Sequence, residues 1–399
     1  MSIVPTLRLL KDQERRLLAG HDWVYSNEVD VHATPLKAFE PGERVAVVDH
    51  RDRWLGYAHV NPRSLICARI LSRDRARPPG PALWEQRLRT ALTLRDRLYA
   101  EPFYRMVFSE GDALPGLIVD RYDKLLAVQL TTAGMERERS DLLAALEQLL
   151  GAQTIVLRND LRARELEGLS QGIEVAVGEH PGDIELPEGG ARYRVSPLSG
   201  QKTGWFYDQA DNRARLARYA TRDRVLDVCS YIGAWGISSA LQGASQVSCV
   251  DASAAALERL TENAARNGVS ERIRPLRGDA FEVLRGLRDA RERFALVILD
   301  PPAFVKRRKD LREGTPAYRR LNGLALDLLA PDGVLVTCSC SHHMDRNAFL
   351  GTIQQAARRS GRRLQLLETG QQGPDHPVHP AIPETAYLKA FFLRALPAD

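Results

Sequence analysis

At 399 residues the chain is too long for one ordinary core and predicts two or three domains. Hydrophobic residues make up 44% and charged residues 27%, a globular balance rather than a disordered one. The net charge of +5 suits a polyanionic partner without requiring one, and no apolar run approaches the ~18 residues of a membrane span.

The stretch from Met1 to Leu18 is broken by Arg8, Lys11, Asp12, Glu14, Arg15 and Arg16, so it is not a signal peptide. Five cysteines, Cys67, Cys229, Cys249, Cys338 and Cys340, show no paired metal-ligand spacing, and no metal site is expected. A cytoplasmic location with reduced thiols follows. A charged amphipathic helix is predicted over Lys11–Ala19. Short strands follow at Glu43–Val48, Trp54–Val60 and Ser64–Ile70, joined by Pro41-Gly42 and Asn61-Pro62. Strands at this spacing suggest a small barrel over 1–77, closed by the linker Arg77-Pro78-Pro79-Gly80-Pro81.

Residues 78–195 read as a mixed α+β domain. Helices are predicted at Leu83–Leu98 and Ser140–Leu150, with strands at Leu117–Asp120, Leu125–Leu130, Thr154–Arg158, Ile173–Val177 and Tyr193–Ser196. Residues 196–399 form the third domain, and from Arg224 strands and helices alternate regularly. Strands are predicted at Val225–Cys229, Gln246–Val250, Ile273–Leu276, Leu296–Leu299 and Val334–Thr337, each followed by a helix, and two late strands at Gln365–Glu368 and Tyr387–Leu393. Such alternation means an α/β, doubly wound, Rossmann-like parallel sheet with its ligand at the carboxyl ends of the strands.

The first of these strands runs Asp227-Val228-Cys229-Ser230-Tyr231-Ile232-Gly233. Glycine at the turn into a helix lets backbone approach a ligand, but Ser230-Tyr231 would crowd a dinucleotide's pyrophosphate. S-adenosylmethionine carries no phosphate and suits the loop better. Asp251, at the tip of the second strand and 18 residues after Gly233, is placed to accept from ribose hydroxyls. Asp279, after the third strand, is placed to meet the adenine edge. The bland alternative is that both acids cap the helices that follow. Upstream, Gln201-Lys202-Thr203-Gly204-Trp205-Phe206-Tyr207-Asp208-Gln209 is a polar–aromatic stretch that either joins domains or folds over the donor's amino-acid end.

Two strand ends carry the chemistry. Leu296–Leu299 runs into Asp300-Pro301-Pro302-Ala303-Phe304, and Val334–Thr337 into Cys338-Ser339-Cys340-Ser341. C5 of a pyrimidine is a poor nucleophile until a thiolate adds at C6, and the adduct then attacks a methyl donor. Cys340 would supply the thiolate, and Asp300 would hydrogen-bond N3 or N4 of cytosine and favour the protonated adduct. The base that removes the C5 proton is open among water, Asp300 and a histidine. Cys338, two residues deeper, reads as a small buried hydrophobe. The run Lys306-Arg307-Arg308-Lys309 beside Asp-Pro-Pro lies where a nucleic-acid backbone would pass.

With these residues in view, the chain resembles the large-subunit ribosomal RNA methyltransferase I family, the cytosine-C5 enzymes of bacterial 23S rRNA. Gly20-His21-Asp22-Trp23-Val24-Tyr25 and Leu55-Gly56-Tyr57-Ala58 resemble an RNA-binding PUA domain, and Leu114–Tyr122 the family's middle domain. Lys202-Thr203-Gly204, Asp208-Gln209, Ser230-Tyr231, Asp300-Pro301-Pro302, Ser339-Cys340-Ser341, Asp375-His376-Pro377 and Tyr387-Leu388-Lys389 resemble its methyltransferase domain. The resemblance implies Cys340 as nucleophile with Asp300. It implies S-adenosylmethionine held around Lys202, Thr203, Asp227, Ser230, Tyr231, Gly233, Asp251, Asp279, Asp300 and Pro301. Its partner would be 23S rRNA, with no DNA or membrane, and a homodimer is left open.

Overall fold

The computed structural model describes residues 4–220 and 222–398. The chain divides into two compact units. The first runs to Ile184 and takes in Val195–Tyr207 and Pro374–Thr385; the second comprises Glu185–Arg194, Asp208–Gly373 and the chain from Ala386.

The first unit holds two five-stranded sheets. One has the order Thr6–Arg8, Glu43–Val48, Trp54–Val60, Ile66–Ser72 and Trp23–Tyr25. It packs around Leu7, Val24, Val45, Val47, Ala58, Val60 and Cys67. The predicted Lys11–Ala19 helix shrinks to Arg15–Leu18, because Asp12 at φ 68° takes a left-handed conformation that a right-handed helix cannot contain. The other sheet orders Ile173–Val177, Thr154–Arg158, Leu125–Leu130, Leu117–Tyr122 and Phe103–Phe108. Phe103–Phe108 escaped prediction because Arg105 and a bulge interrupt its alternation; in the fold Arg105 is buried against Asp120 on the neighbouring strand. Glu138 ties the two layers together. Burial would raise its pKa, but hydrogen bonds from His59 and Arg44 hold it down to about 2.

The second unit is built on seven strands: β1 (Arg224–Val228), β2 (Gln246–Asp251), β3 (Ile273–Arg277), β4 (Phe294–Leu299), β5 (Leu329–Ser339), β6 (Arg362–Gly370) and β7 (Lys389–Pro397). Their helices are α1 (Ala234–Leu241), α2 (Ala254–Arg266), α3 (Ala280–Asp289), α4 (Leu311–Leu328) and α5 (Arg346–Arg359). The order is β3-β2-β1-β4-β5-β7-β6. The doubly wound sheet is as expected, with one strand reversed. β7 runs antiparallel between β5 and β6, since residues 371–388 connect β6 to it without a crossover helix. Leu226, Val228, Val297, Leu299 and Leu335 are fully buried beneath Tyr318, Leu321 and Phe349 from the covering helices. Strands this apolar on both faces belong at the centre of a covered parallel sheet. Among the described residues no helix is long and apolar enough to cross a membrane.

Candidate active site

Parallel pairing sets the carboxyl ends of β1, β4 and β5 side by side, with Val228 opposite Leu299 and Leu299 opposite Thr337. The loop after β1 leaves the sheet by a strained path. Cys229 (φ 64°) and Tyr231 (φ 48°) are both left-handed, and non-glycine residues in that region cluster at functional sites. Gly233 (φ 94°) opens α1, and a Cβ there would lie 2.9 Å from the Leu260 side chain. No bulkier residue fits.

Beneath this loop sit two uncompensated polar groups. Ser230 is buried and its Oγ has no hydrogen-bond partner. Asp227 is fully buried, and its carboxyl has no well-formed hydrogen bond beyond the influence of the Gly236 amide. Burial first, and the nearby Asp300 second, push its pKa up to about 8. Asp251 is fixed by two backbone donors, Tyr231 N at 2.9 Å and Ser253 N at 2.9 Å. Ser253, not Asp251, caps α2. For Asp279 the helix-cap alternative describes what is seen: its Oδ1 accepts from Phe281 N and Glu282 N at the start of α3.

Asp300, at the end of β4, is oriented by two side chains. Gln209 Nε2 donates to Oδ1 at 2.9 Å and Trp235 Nε1 to Oδ2 at 3.0 Å. Pro301 is buried behind it. One strand over, Cys338 is fully buried within β5, and burial, then Asp300, pushes its thiol well above the ordinary range. Cys340 lies just past the end of β5, only partly buried. None of the five cysteines is in a disulfide.

A buried hydroxyl chain ties these two strand ends together. Ser339 Oγ donates to Tyr318 Oη at 3.0 Å, and Tyr318 Oη and Ser341 Oγ share a hydrogen bond at 2.8 Å. Val305 N donates to the same Ser341 oxygen at 3.1 Å. The serines either side of Cys340 are thereby locked to the Asp300–Val305 loop. Lys389, at the start of β7 and opposite Ser339, is also buried; its Nζ donates to Ser341 O at 2.6 Å and Tyr387 O at 2.8 Å.

The second unit thus gathers Asp227, Ser230, Tyr231, Gly233, Asp251, Asp279, Asp300, Pro301 and Cys340 around one sheet edge. Lys202 and Thr203 belong to the first unit. There Thr203 is fully buried with its hydroxyl bonded to Asp120, and Lys202 lies 4.3 Å from the Phe206 ring centroid. Asp375 and His376 also pack in the first unit, where Asp375 accepts from Arg105 N. Residue-level reading missed Trp235 and Tyr318, which look like core aromatics on helices. Lys389 did carry a signal: a lysine opening the apolar run Ala390-Phe391-Phe392 is rarely buried without a partner. The cation run Lys306–Lys309 is exposed, with Arg307 engaged by Asp310.

Residues 7–73 match the family model of a PUA-like domain, and residues 105–394 that of an S-adenosylmethionine-dependent methyltransferase. A Klebsiella pneumoniae (strain 342) protein named ribosomal RNA large subunit methyltransferase I is 36% identical over 400 residues, covering 99% of each chain. This chain belongs to the ribosomal RNA large subunit methyltransferase I family. The Salmonella arizonae protein of the same name is 36% identical over 397 residues, 98% of each chain. Among solved structures, SMU.776 complexed with SAH matches 98% of this chain and all of its own at a TM-score of 0.84 and 18% identity. Trm5b from Pyrococcus abyssi matches 70% of this chain and 74% of its own at 0.52 and 16%. These two likenesses concern the fold.

S-adenosylmethionine is the family's methyl donor, and the β1 loop fits it. The unpartnered Ser230 hydroxyl and Asp227 carboxyl are polar groups that an amino-acid end could satisfy. Asp251, held by the Tyr231 and Ser253 amides, is a fixed acceptor that ribose hydroxyls could meet, and Ser230-Tyr231 stands where a pyrophosphate would need open glycine amides.

Proposed function

We propose that this protein methylates C5 of a cytosine in 23S ribosomal RNA, using S-adenosylmethionine as donor and Cys340 as a covalent nucleophile. The observation that carries the reading is the pairing of Asp300 and Cys340. Neighbouring parallel strands deliver a fixed carboxylate and a partly exposed thiol, and the Ser339–Tyr318–Ser341 chain holds their loops in register. A reaction that needs both groups on one base is served by such an arrangement.

S-adenosylmethionine supplies the electrophilic methyl group. Cys340 adds as thiolate to C6 of the cytosine, which makes C5 nucleophilic. Asp300 is held by Gln209 and Trp235. A carboxylate offers about four lone-pair sites, so Asp300 can also accept from the N4 amino group and set the ring's orientation. Once C5 carries the methyl group, a base (water, Asp300 or a histidine) takes the C5 proton, and the electron pair left behind breaks the C6–S bond and releases the Cys340 thiolate. Asp251 would hold the donor's ribose, Asp227 and Ser230 its amino-acid end and Asp279 the adenine, with Tyr231, Gly233 and Pro301 lining the site. The RNA is held by the PUA-like domain and by the exposed Lys306, Arg308 and Lys309 beside Asp300-Pro301-Pro302.

The test is covalent trapping. RNA with 5-fluorocytosine at the target should form a stable adduct, because fluorine blocks proton loss at C5. Cys340→Ala should abolish adduct and turnover while leaving donor affinity nearly intact, and Cys338→Ala should keep both. An adduct mapped to Cys338, or full activity in Cys340→Ala, would overturn the assignment.

A further inference from the structure

Lys389 is a buried cation to which the proposed chemistry gives no role. It opens β7, directly opposite Ser339 in the antiparallel ladder, one residue from Cys340. Two of its three N–H groups are taken by Ser341 O at 2.6 Å and Tyr387 O at 2.8 Å. Both carbonyls are neutral, so no carboxylate compensates the charge through these bonds. A buried lysine whose hydrogen bonds go to neutral carbonyls is better compensated when an anion forms beside it. The first of those carbonyls belongs to the residue that follows Cys340. The ammonium is therefore pinned to the same strand end as the thiol.

We propose that Lys389 is the positioning cation that holds Cys340 as thiolate. This rests on Cys340 being the nucleophile, and it supplies what such a nucleophile needs. The amine in its neutral form takes the thiol proton, so S–H and NH2 become S⁻ and NH3⁺; the ammonium stays in place when sulfur bonds to C6. Burial pushes the Lys389 pKa down to about 8, which makes the neutral amine accessible near neutral pH, and Cys340 is the leading influence that raises it. The other ionisable groups acting there are Asp345 and Arg346, from the turn into α5. Cys340 is further faced by Tyr318 from α4 and by Cys338 from β5, and Asp300 from β4 acts on Cys338.

The experiment reads thiol acidity without RNA. The rate of iodoacetamide labelling at Cys340, mapped by peptide mass, is followed against pH in the full-length protein and in two variants. Lys389→Gln keeps N–H donors for the two carbonyls and removes the charge; Lys389→Arg keeps the charge. The wild-type labelling midpoint should lie at least one pH unit below the roughly 8.5 of a free thiol. In Lys389→Gln it should rise by a pH unit or more, which is about a ten-fold loss of labelling at pH 7, and Lys389→Arg should restore it. A wild-type midpoint at or above the free-thiol value, or the same profile in Lys389→Gln, would overturn the proposal even if Lys389→Gln folded poorly in the first case. Failure of the nucleophile reading appears separately, as loss of the fluorocytosine adduct in wild-type protein whose Cys340 still titrates low.

Discussion

Replacing Asp227 by Asn should make the protein progressively more stable than the wild type as pH rises from 5 to 7. Asp227 is fully buried without a well-formed hydrogen bond, and its pKa stands at about 8 in the fold against the 3.8 of an ordinary aspartate. Between those values the folded state carries a proton that the unfolded state has lost. Stability must therefore fall as pH rises, by up to ~1.4 kcal/mol per pH unit, and the loss is complete above about 8. Asn is isosteric with the protonated acid and does not titrate, so the other pH-dependent groups cancel in the comparison. Over two pH units the gap should widen by about 2.5 kcal/mol in favour of Asn. For a domain of ~200 residues that corresponds to roughly 5–10 °C in Tm. Thermal unfolding of both proteins without donor, across this pH range, measures it. Parallel Tm–pH curves would show that Asp227 is ionised in the fold and would refute the reasoning.

Asp251→Ala should weaken S-adenosylmethionine binding by about ten- to a hundred-fold in calorimetry, the effect of losing ~1.5–3 kcal/mol of hydrogen bonding to a charged group. An unchanged Kd would remove Asp251 from the donor site. Tyr318→Phe deletes the phenol that accepts from Ser339 and shares a hydrogen bond with Ser341, so denaturant unfolding should show a loss of about 1–3 kcal/mol, with slower turnover as the Cys340 loop loosens. Wild-type stability and activity in this variant would mean the chain does not order the loop. Charge reversal of Lys306, Arg308 and Lys309 to Glu should weaken RNA binding and lower the salt slope by about one for each phosphate no longer neutralised, while donor affinity stays put. An unaltered slope would place the RNA elsewhere.

The sequence by itself determined the periodicities and the end residues of the second unit. Alternating apolar strands and amphipathic helices leave few folds besides a doubly wound sheet, and the chemistry-bearing residues sit at strand ends, where turn residues interrupt an apolar run and stand out. Hence the placement of the β1 loop, Asp251 and Asp300 at strand ends, and the burial contrast between Cys338 and Cys340, were legible. Asp279 shows the limit, because an acid that caps a helix and an acid that meets a ligand carry the same local signature. What only tertiary structure decided was partnership across the chain. Gln209 and Trp235 meet Asp300 from far away in sequence, Tyr318 reaches Ser339 and Ser341 from α4, and Lys389 returns to Cys340 because β7 inserts antiparallel beside β5. Hydrogen bonds of this kind leave no periodicity behind. The same holds for Asp227, whose acid strength is set by the removal of water and by Asp300 on the neighbouring strand. Solvent exclusion belongs to the packed molecule, and no stretch of sequence contains it.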